Sequence, residues 1–272
     1  MSYTPYVARA ILGRQLAKYR KRAKLAIPEA SRETGISESK LRKLERGVNP
    51  VVRLPDVYSC TLVYDCSSSE KNHLRDLVNG AEQPGWYHDY NVPTAFAHFI
   101  EQESVAETVH IHETELVHGL FQTPAYLEAL RHNRPDPNQE PDQGLRRERQ
   151  ERVLSRDKPP KINYLTSEAA LRRHVGNDDV MREQIEHLGK VNSWEFIDIF
   201  VMTFSAGPYP ATSGPFTVME FDSTFPNIVY IESAHGSKYE EGDRVPFYLD
   251  VMERSINQAE PLEEFIRGYT MA

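Results

Sequence analysis

The chain has 272 residues, of which 39% are hydrophobic and 26% are charged, a composition typical of globular proteins with room for one large or two smaller domains. The sequence contains no apolar run of about 18 residues, which excludes a helical membrane span. Its two cysteines, Cys60 and Cys66, cannot form a disulfide framework or a zinc site by themselves. Because the first residues also lack the basic and then apolar pattern of a signal peptide, we expect a soluble, cytoplasmic protein.

The net charge of −8 conceals an uneven distribution. Residues 1–53 contain 13 lysines and arginines against 4 aspartates and glutamates, whereas the remaining residues contain 19 against 36. A basic N-terminal part joined to an acidic remainder favours contact of that part with a polyanion. A basic helix that is merely solvated is the alternative.

Five short helices are predicted in the first 82 residues. The first contains Ile11, Leu12 and Leu16 at helical spacing among lysines and arginines. The second has a proline in its first turn, where the missing amide hydrogen costs nothing. We therefore expect an all-α N-terminal domain over residues 1–82. The predicted helices span residues 7–22, 28–34, 37–46, 54–64 and 68–81.

Residues 28–46 have the layout of a helix-turn-helix motif, with a short helix, a glycine-containing turn and a capped second helix. Gly35 is the predicted C-cap of the first of these helices, and Ser37 is the predicted N-cap of the second. Leu41 and Leu44 are expected to point inward, which fixes the outward side of the second helix. A helix presented in this way can enter the major groove of DNA.

The outward side of this second helix is the candidate DNA-reading surface. Glu38, Ser39 and Lys43 are best placed to reach base edges, because the N-terminal residues of a recognition helix do so. Lys43 can donate to guanine, and Glu38 can accept from cytosine. The basic residues suited to phosphates are Lys40, Arg42 and Arg46, together with some of Arg14, Lys18 and Lys21.

A mixed helix and strand pattern follows a predicted linker at residues 83–85. Helical spacing is predicted from Pro93 to about Arg131, interrupted by a turn near Gly119, and loop residues are predicted at 134–141. Further helices are predicted at 144–156, 178–191, 245–259 and 262–268, and strands at 161–166, 196–204, 216–221 and 228–232. We therefore expect a C-terminal α+β domain over residues 83–272 with a small sheet.

The N-terminal part resembles a known family of DNA-binding domains. Residues 10–53, with the runs ILGRQLAKYRKRAKL and ETGISESKLRKLERG, are similar to the Xre or phage-repressor type of helix-turn-helix. In that family an arginine late in the first helix pairs with a glutamate two residues before the closing glycine. The resemblance therefore implies a structural ion pair between Arg20 and Glu45. This chain has Ile27-Pro28-Glu29 where the family usually carries a glutamine, so the DNA contact that this glutamine commonly makes is not expected here.

The remainder resembles a second family. Residues 86–268 are similar to the C-terminal domain of actinobacterial Xre-type regulators described as antitoxin-like, which include WhiJ-like proteins. The matching runs are IEQESVAETVHIHE, HGLFQTPAY and LRRHVGNDDVMREQIEHL. The family commonly reads Pro-Gly-Leu-Leu-Gln-Thr where this chain has His118-Gly119-Leu120-Phe121-Gln122-Thr123. The resemblance implies an effector or docking domain, and a small acidic partner protein encoded nearby.

The turn at Leu120, Phe121 and Gln122 is the candidate partner-binding surface. Leu120 is expected to pack inward between two helices. Phe121 and Gln122 are expected to be more open, because Thr123 and Pro124 begin a new helix whose first turn should face solvent. An apolar side chain exposed at such a turn is typical of an interface.

The sequence contains no convincing metal, cofactor or catalytic motif, so we expect a protein that is not an enzyme. On the predicted helix, His110 and His112 would lie about 200° apart and could not share an ion. Asp178 and Asp179 are interpreted as helix N-terminal acids rather than as a catalytic pair. The aromatic residues of the predicted strands are interpreted as core, with the lining of a ligand pocket as the alternative. They are Tyr164, Phe196, Phe200, Phe221 and Tyr230.

Together these patterns predict a sequence-specific, double-stranded-DNA-binding transcriptional regulator whose C-terminal domain senses a ligand or docks a small partner protein. Two DNA half-sites one helical turn apart suit a protein with two DNA-binding domains, so we expect a homodimer. One alternative is an antitoxin that sequesters a small protein from a neighbouring gene and regulates its own operon. A second alternative is an enzyme with an added DNA-binding head.

Overall fold

The computed structural model describes residues 5–47, 52–83, 85–90, 92–131, 143–222, 226–233 and 236–268. The chain divides into two compact units, 1–89 and 90–272, where the sequence placed the boundary between residues 82 and 83. The loop predicted at 134–141 lies outside the described residues.

The N-terminal unit is helical, as predicted. Within its described residues it contains five helices: α1 (Pro5–Arg22), α2 (Ile27–Thr34), α3 (Glu38–Glu45), α4 (Leu54–Val63) and α5 (Ser68–Ala81). Gly35 ends α2 with a φ of 72°, and its N–H bonds the carbonyl of Ser31. The hydroxyl of Ser37 accepts from the backbone N–H of Lys40 and caps α3. These two caps set the turn between α2 and α3, because they satisfy backbone groups that the helix ends leave unpaired.

Two glycines allow α1 to lie directly against the last turn of α3. A Cβ at Gly13 would be 2.5 Å from the carbonyl oxygen of Leu44 and 2.6 Å from that of Glu45. Gly47 has a φ of +70°, and a Cβ there would be 2.7 Å from the Cα of Ala10. Any larger side chain would push backbone against backbone, so these glycines fix the distance between α1 and α3.

The C-terminal unit is built on a mixed sheet that is larger than the small sheet the sequence predicted. Over the residues that the structure describes, seven strands form one sheet in the order β6-β5-β4-β1-β2-β3-β7. Strands β1, β2 and β3 are parallel, and the other pairings are antiparallel. The strands are β1 (Thr108–Glu113), β2 (Lys161–Ser167), β3 (Ile197–Met202), β4 (Phe216–Glu220), β5 (Ile228–Ser233), β6 (Gly236–Glu241) and β7 (Glu260–Pro261).

Helices cover this sheet. In the described part of the unit they are α6 (Thr94–Glu103), α7 (Pro124–Arg131), α8 (Gln143–Leu154), α9 (Glu168–Arg172), α10 (Asp178–Asn192), α11 (Arg244–Ile256) and α12 (Leu262–Gly268). None of the helices in the described ranges is both long and apolar enough to cross a lipid bilayer.

The helical pattern predicted from Pro93 to about Arg131, with a turn near Gly119, is wrong over Thr108–Glu113, which is the central strand β1. Val109, Ile111 and His112 are buried, and Ile111 pairs with Tyr164 of β2 on one side and with Thr217 of β4 on the other. A strand with partners on both sides gains ladder hydrogen bonds that its own sequence does not reveal.

The two faces of the sheet have different coverings. On one face, Leu165, Phe216 and Val218 join a buried cluster with Val251 and Met252 of α11. On the other face, Tyr230 of β5 packs against Phe99 of α6, with ring centroids 4.3 Å apart. Because successive strand residues point to opposite faces, Ile111 and Glu113 lie on the α6 side, whereas His110 and His112 lie on the α11 side.

Candidate functional site

The outward face of α3 presents a short basic and polar surface. Leu41 and Leu44 are buried, with exposures of 0% and 2%. Ser39, Lys43 and Arg46 are exposed on the opposite side of the helix. The structure therefore places these three side chains where a DNA major groove could reach them.

Other predicted DNA contacts on α3 already have protein partners. Arg42 donates to the carboxylate of Glu38 one helical turn earlier, at 3.3 Å. The Nζ of Lys40 lies 2.6 Å from the carboxylate of Asp56 in the first turn of α4. Lys40 thus links α3 to α4, and a phosphate contact by Lys40 would have to compete with this ion pair.

The basic residues predicted on α1 differ in exposure. Lys18 and Lys21 are exposed and lie three residues apart, so they point to the same side of the helix. Arg14 is only partly exposed. Lys18 and Lys21 are therefore the freer phosphate candidates outside α3.

Arg20 and Glu45 join α1 to the end of α3. The Nε and Nη2 atoms of Arg20 donate to the two carboxylate oxygens of Glu45 at 2.7 and 2.8 Å. Nη1 of Arg20 also donates to the carbonyl of Leu25 at 2.8 Å. The hydrogen bond to Glu45 raises the pKa of the Arg20 guanidinium. This planar, two-bonded pair holds α3 against α1 and lies away from the exposed side of Ser39, Lys43 and Arg46.

The turn predicted as a partner-binding surface is buried. Leu120 and Phe121 have 0% exposure and Gln122 has 7%. The expectation that Phe121 and Gln122 are open is therefore wrong, while Leu120 packs inward as expected. Side chains without accessible surface cannot form the docking site that was placed on them.

Three glutamine side chains explain this burial, because they satisfy the backbone polar groups of the turn. The side chain of Gln122 donates to the carbonyl of Val117 at 2.7 Å. Gln150 of α8 donates to the carbonyls of Gly119 and Gln122 at 3.1 and 3.0 Å. Gln184 of α10 donates to the carbonyl of Phe121 at 2.7 Å. A turn whose backbone groups are bonded in this way can be buried without a desolvation penalty.

The histidines of β1 share one face of the sheet, contrary to the helical geometry that was expected. His110 lies 3.0 Å from the carboxylate of Glu220. His112 is buried, and its ring nitrogens lie 3.3 Å from the carbonyl of Leu165 and 3.1 Å from that of Ala211. Burial lowers the pKa of His112. In the part of the chain that the structure describes, no three His, Cys, Asp or Glu side chains are arranged to hold a metal ion.

A cavity of about 420 Å³ lies in the C-terminal unit on the α6 side of the sheet. Its walls come from α6, α8, the strands β1, β4 and β5, and the turn that follows β1. Phe96, Phe99 and Tyr230 supply aromatic surface, and Glu113 and Glu232 supply carboxylates. The sequence patterns did not bring these residues together, although Tyr230 was among the aromatics considered for a pocket.

Two arginines of α8 also line the cavity. Arg149 donates to both carboxylate oxygens of Glu103 at 2.6 and 2.8 Å, and both side chains are buried. The guanidinium of Arg146 occupies the space that a side chain at Gly119 would fill. His118 is buried beside Arg149, and burial together with the arginine charges lowers its pKa well below the usual range. His118 is therefore neutral at physiological pH.

Glu113 is a carboxyl group of the cavity whose acidity is altered by its surroundings. Burial raises its pKa to about 7, and the negative charge of Glu232 adds to this effect, whereas Arg149 opposes it. A signal in the sequence could have located part of this site, since Phe96, Phe99 and Glu103 recur at helical spacing. Nothing local in the sequence connects that helix face with Glu113 on β1.

Two family models match the chain. A model described as a helix-turn-helix domain matches residues 11–74, and one described as domain of unknown function DUF5753 matches residues 96–266. No curated protein and no solved structure matches the chain. The helix-turn-helix match includes α2, α3 and the exposed residues of α3, and it suggests that this unit binds DNA.

Proposed function

Since the chain belongs to the DUF5753 family and carries a helix-turn-helix domain ahead of that region, we propose that it is an Xre-type transcriptional regulator that binds double-stranded DNA in a sequence-specific way. The observation that carries this proposal is the outward face of α3. Ser39, Lys43 and Arg46 are exposed there, on a helix that is capped by Ser37 and held from behind by the Arg20–Glu45 pair.

The proposed contacts divide into base and phosphate contacts. Ser39 and Lys43 lie in the first two turns of α3 and reach base edges, with Glu38 able to accept from cytosine when it exchanges its bond to Arg42. Arg46, Lys18 and Lys21 bind phosphates and orient the unit without reading sequence. Loss of a base contact should therefore change the preferred sequence, whereas loss of a phosphate contact should not.

The rest of the proposed function concerns assembly and regulation. We propose a homodimer that reads two half-sites one helical turn apart. The acidic C-terminal unit contributes no DNA contact, because its negative charge repels phosphates. Its role is to receive a signal, either a small ligand or a partner protein.

Selection of bound sequences from a random pool of duplex DNA, with the full chain, tests the DNA-binding proposal. Lys43→Ala should relax preference at one or two base positions and cost about 1–3 kcal/mol at the preferred site. Arg46→Ala should weaken all sequences alike and lower the salt dependence by about one charge.

Arg75→Ala is the matched control, since Arg75 is exposed on α5, outside the helix-turn-helix pair α2–α3. It should leave both the preferred sequence and the affinity unchanged. Failure of the wild-type chain to enrich any sequence would refute the proposal, and an unchanged motif for Lys43→Ala would refute the assignment of α3 as the reading helix.

A further inference from the structure

The cavity of the C-terminal unit has the size and walls of a small-molecule site. Its volume of about 420 Å³ lies within the usual range for ligand pockets, about 300–1,000 Å³. Aromatic rings form part of the wall, and a few charged groups converge on it. Glu232 and Ser233 are exposed, whereas Phe99 and His118 are buried, so the cavity runs from the surface into the unit.

The positive groups of the cavity are already engaged by the protein. Arg149 is neutralised by the two hydrogen bonds to Glu103, and it lies over the rings of Phe99 and Phe96 at 5.1 and 5.5 Å. Arg146 packs against Gly119, where its guanidinium leaves no space for a side chain. An anionic ligand would have to compete with Glu103 for Arg149.

The carboxylates of the cavity differ from its guanidinium groups in having no bonded partner among the described residues. Glu113 and Glu232 both line it, and no hydrogen bond or ion pair joins either side chain to another of the described residues. They repel each other, since the charge of Glu232 raises the pKa of Glu113. With Glu103 included, three carboxylates stand against the two guanidinium groups of Arg146 and Arg149. The charge that lacks a partner in this cavity is negative.

The aromatic rings in the cavity wall also favour a cationic ligand. Phe99 contacts Tyr230 with ring centroids 4.3 Å apart, and Phe96 stacks on Phe99 at 5.9 Å. The face of an aromatic ring attracts cations, and the position of Arg149 over two of these rings shows that they accept one. Tyr230 lines the same cavity and carries no such cation from the described residues.

We propose that this cavity binds a small organic cation with an apolar body, such as an arylalkylammonium or an arylalkylguanidinium, with its charge between Glu113 and Glu232 and its apolar part against Phe99 and Tyr230. This proposal deepens the proposed function by naming the class of ligand. It rests on that function only in taking the ligand as the signal that the C-terminal unit receives.

The proposal gives binding a defined pH dependence. Glu113 titrates with a pKa of about 7, so it is mostly ionised at pH 8 and mostly protonated at pH 6. The titratable and charged groups around it are Glu232 of β5, Arg146 and Arg149 of α8 and Tyr164 of β2. Burial raises the pKa of Tyr164 and lowers that of the neighbouring His118, so both stay neutral over this range. The ionised form attracts a cation, so affinity should rise about tenfold from pH 6 to pH 8.

Isothermal titration of the full chain without DNA tests the proposal. The probes are 2-phenylethylammonium and benzyltrimethylammonium, both cationic from pH 6 to pH 8, with 3-phenylpropionate and 2-phenylethanol as the anionic and neutral analogues. Both cations should bind, and the two analogues should bind more weakly by about tenfold or more. Glu113→Gln should weaken cation binding about tenfold at pH 8 and abolish the pH dependence.

Glu115→Gln is the matched control, because Glu115 is an exposed glutamate two residues away that does not line the cavity. Its affinity should equal that of the wild type. If Glu113→Gln does not fold, Glu232→Gln at the exposed end should still weaken cation binding. Absence of binding by both cations, tighter binding of 3-phenylpropionate, or equal affinity in a folded Glu113→Gln chain would each overturn the proposal. None of these results depends on whether the chain binds DNA.

Discussion

Each unit of the molecule contains a bidentate arginine–glutamate pair that joins two helices, and the two pairs differ in their surroundings. In the N-terminal unit, Arg20 and Glu45 join α1 to α3, with side-chain exposures of 11% and 8%. In the C-terminal unit, Arg149 and Glu103 join α8 to α6, with exposures of 4% and 0%. The geometry is nearly the same, with N–O distances between 2.6 and 2.8 Å in both.

The difference shows how one chemical pair can serve two purposes. Arg20 donates its third bond to a backbone carbonyl, so the N-terminal pair only holds helices together, away from the exposed face of α3. Arg149 instead lies over two aromatic rings and lines the cavity, so the C-terminal pair also shapes the cavity wall. Breaking a buried pair leaves an uncompensated charge out of water, and the penalty grows with burial.

Glu103→Gln should therefore have the largest effect of the changes considered. We expect it to lower the free energy of unfolding of the C-terminal unit by about 3–5 kcal/mol, because the Arg149 guanidinium is left buried and unpaired. Hydrogen exchange of the β2 amides in the full chain measures the opening of this unit.

Two further variants sharpen this test. Glu151→Gln removes an exposed ion pair between Glu151 and Arg147, which both lie on α8, and it should lower the free energy of unfolding by less than about 0.5 kcal/mol. Replacing both partners, Glu103→Leu with Arg149→Met, should recover much of the lost stability, since no buried charge remains. Equal losses for Glu103→Gln and Glu151→Gln would show that burial does not distinguish the two pairs.

Gly13→Ala probes how the N-terminal unit keeps α1 in register with the Arg20–Glu45 pair. The new Cβ would lie 2.5 Å from a backbone carbonyl of α3, so the helices must separate, and we expect a loss of about 2–3 kcal/mol. Thermal unfolding with hydrogen exchange of the α1 amides measures it.

Gly80→Ala is the control, because its Cβ would meet only the Cβ of Ala8 at 3.3 Å and alanine favours helix. Its effect should stay within about 1 kcal/mol of zero. A harmless Gly13→Ala would mean that α1 and α3 are less closely packed than the geometry requires.

The two units also differ in how much of their structure could be predicted from the sequence. The helices of the N-terminal unit followed from local signals, such as the cap at Gly35, the cap at Ser37 and the inward pair Leu41 and Leu44. Each of these signals acts within a few residues, so the sequence contains it directly. The exposure of Lys43 followed from the same helical periodicity.

The C-terminal unit depends on partners that are distant in sequence. β1 is a strand because Ile111 pairs with Tyr164 and Thr217, which lie dozens of residues further along the chain. Phe121 is buried because Gln184 binds its carbonyl across 63 residues. The spacing of residues over a short stretch of sequence cannot predict either of these distant contacts. The central strand and the cavity were therefore missed, whereas the strands β2 to β5 were predicted.

Glu45→Gln should lower stability less than Glu103→Gln or Gly13→Ala, and it should affect stability without affecting the DNA sequence that is selected. The guanidinium of Arg20 keeps its bond to Leu25 and is near solvent, so we expect a loss of about 1–2 kcal/mol in the N-terminal unit, less than for Glu103→Gln. The pair lies behind the reading surface, so the DNA sequence selected from a random pool should stay the same. Lys43→Ala should give the opposite pattern, with stability kept and the motif changed. A stable Glu45→Gln chain with a changed motif would mean that Glu45 faces DNA, and the N-terminal pair would then serve recognition as well as folding.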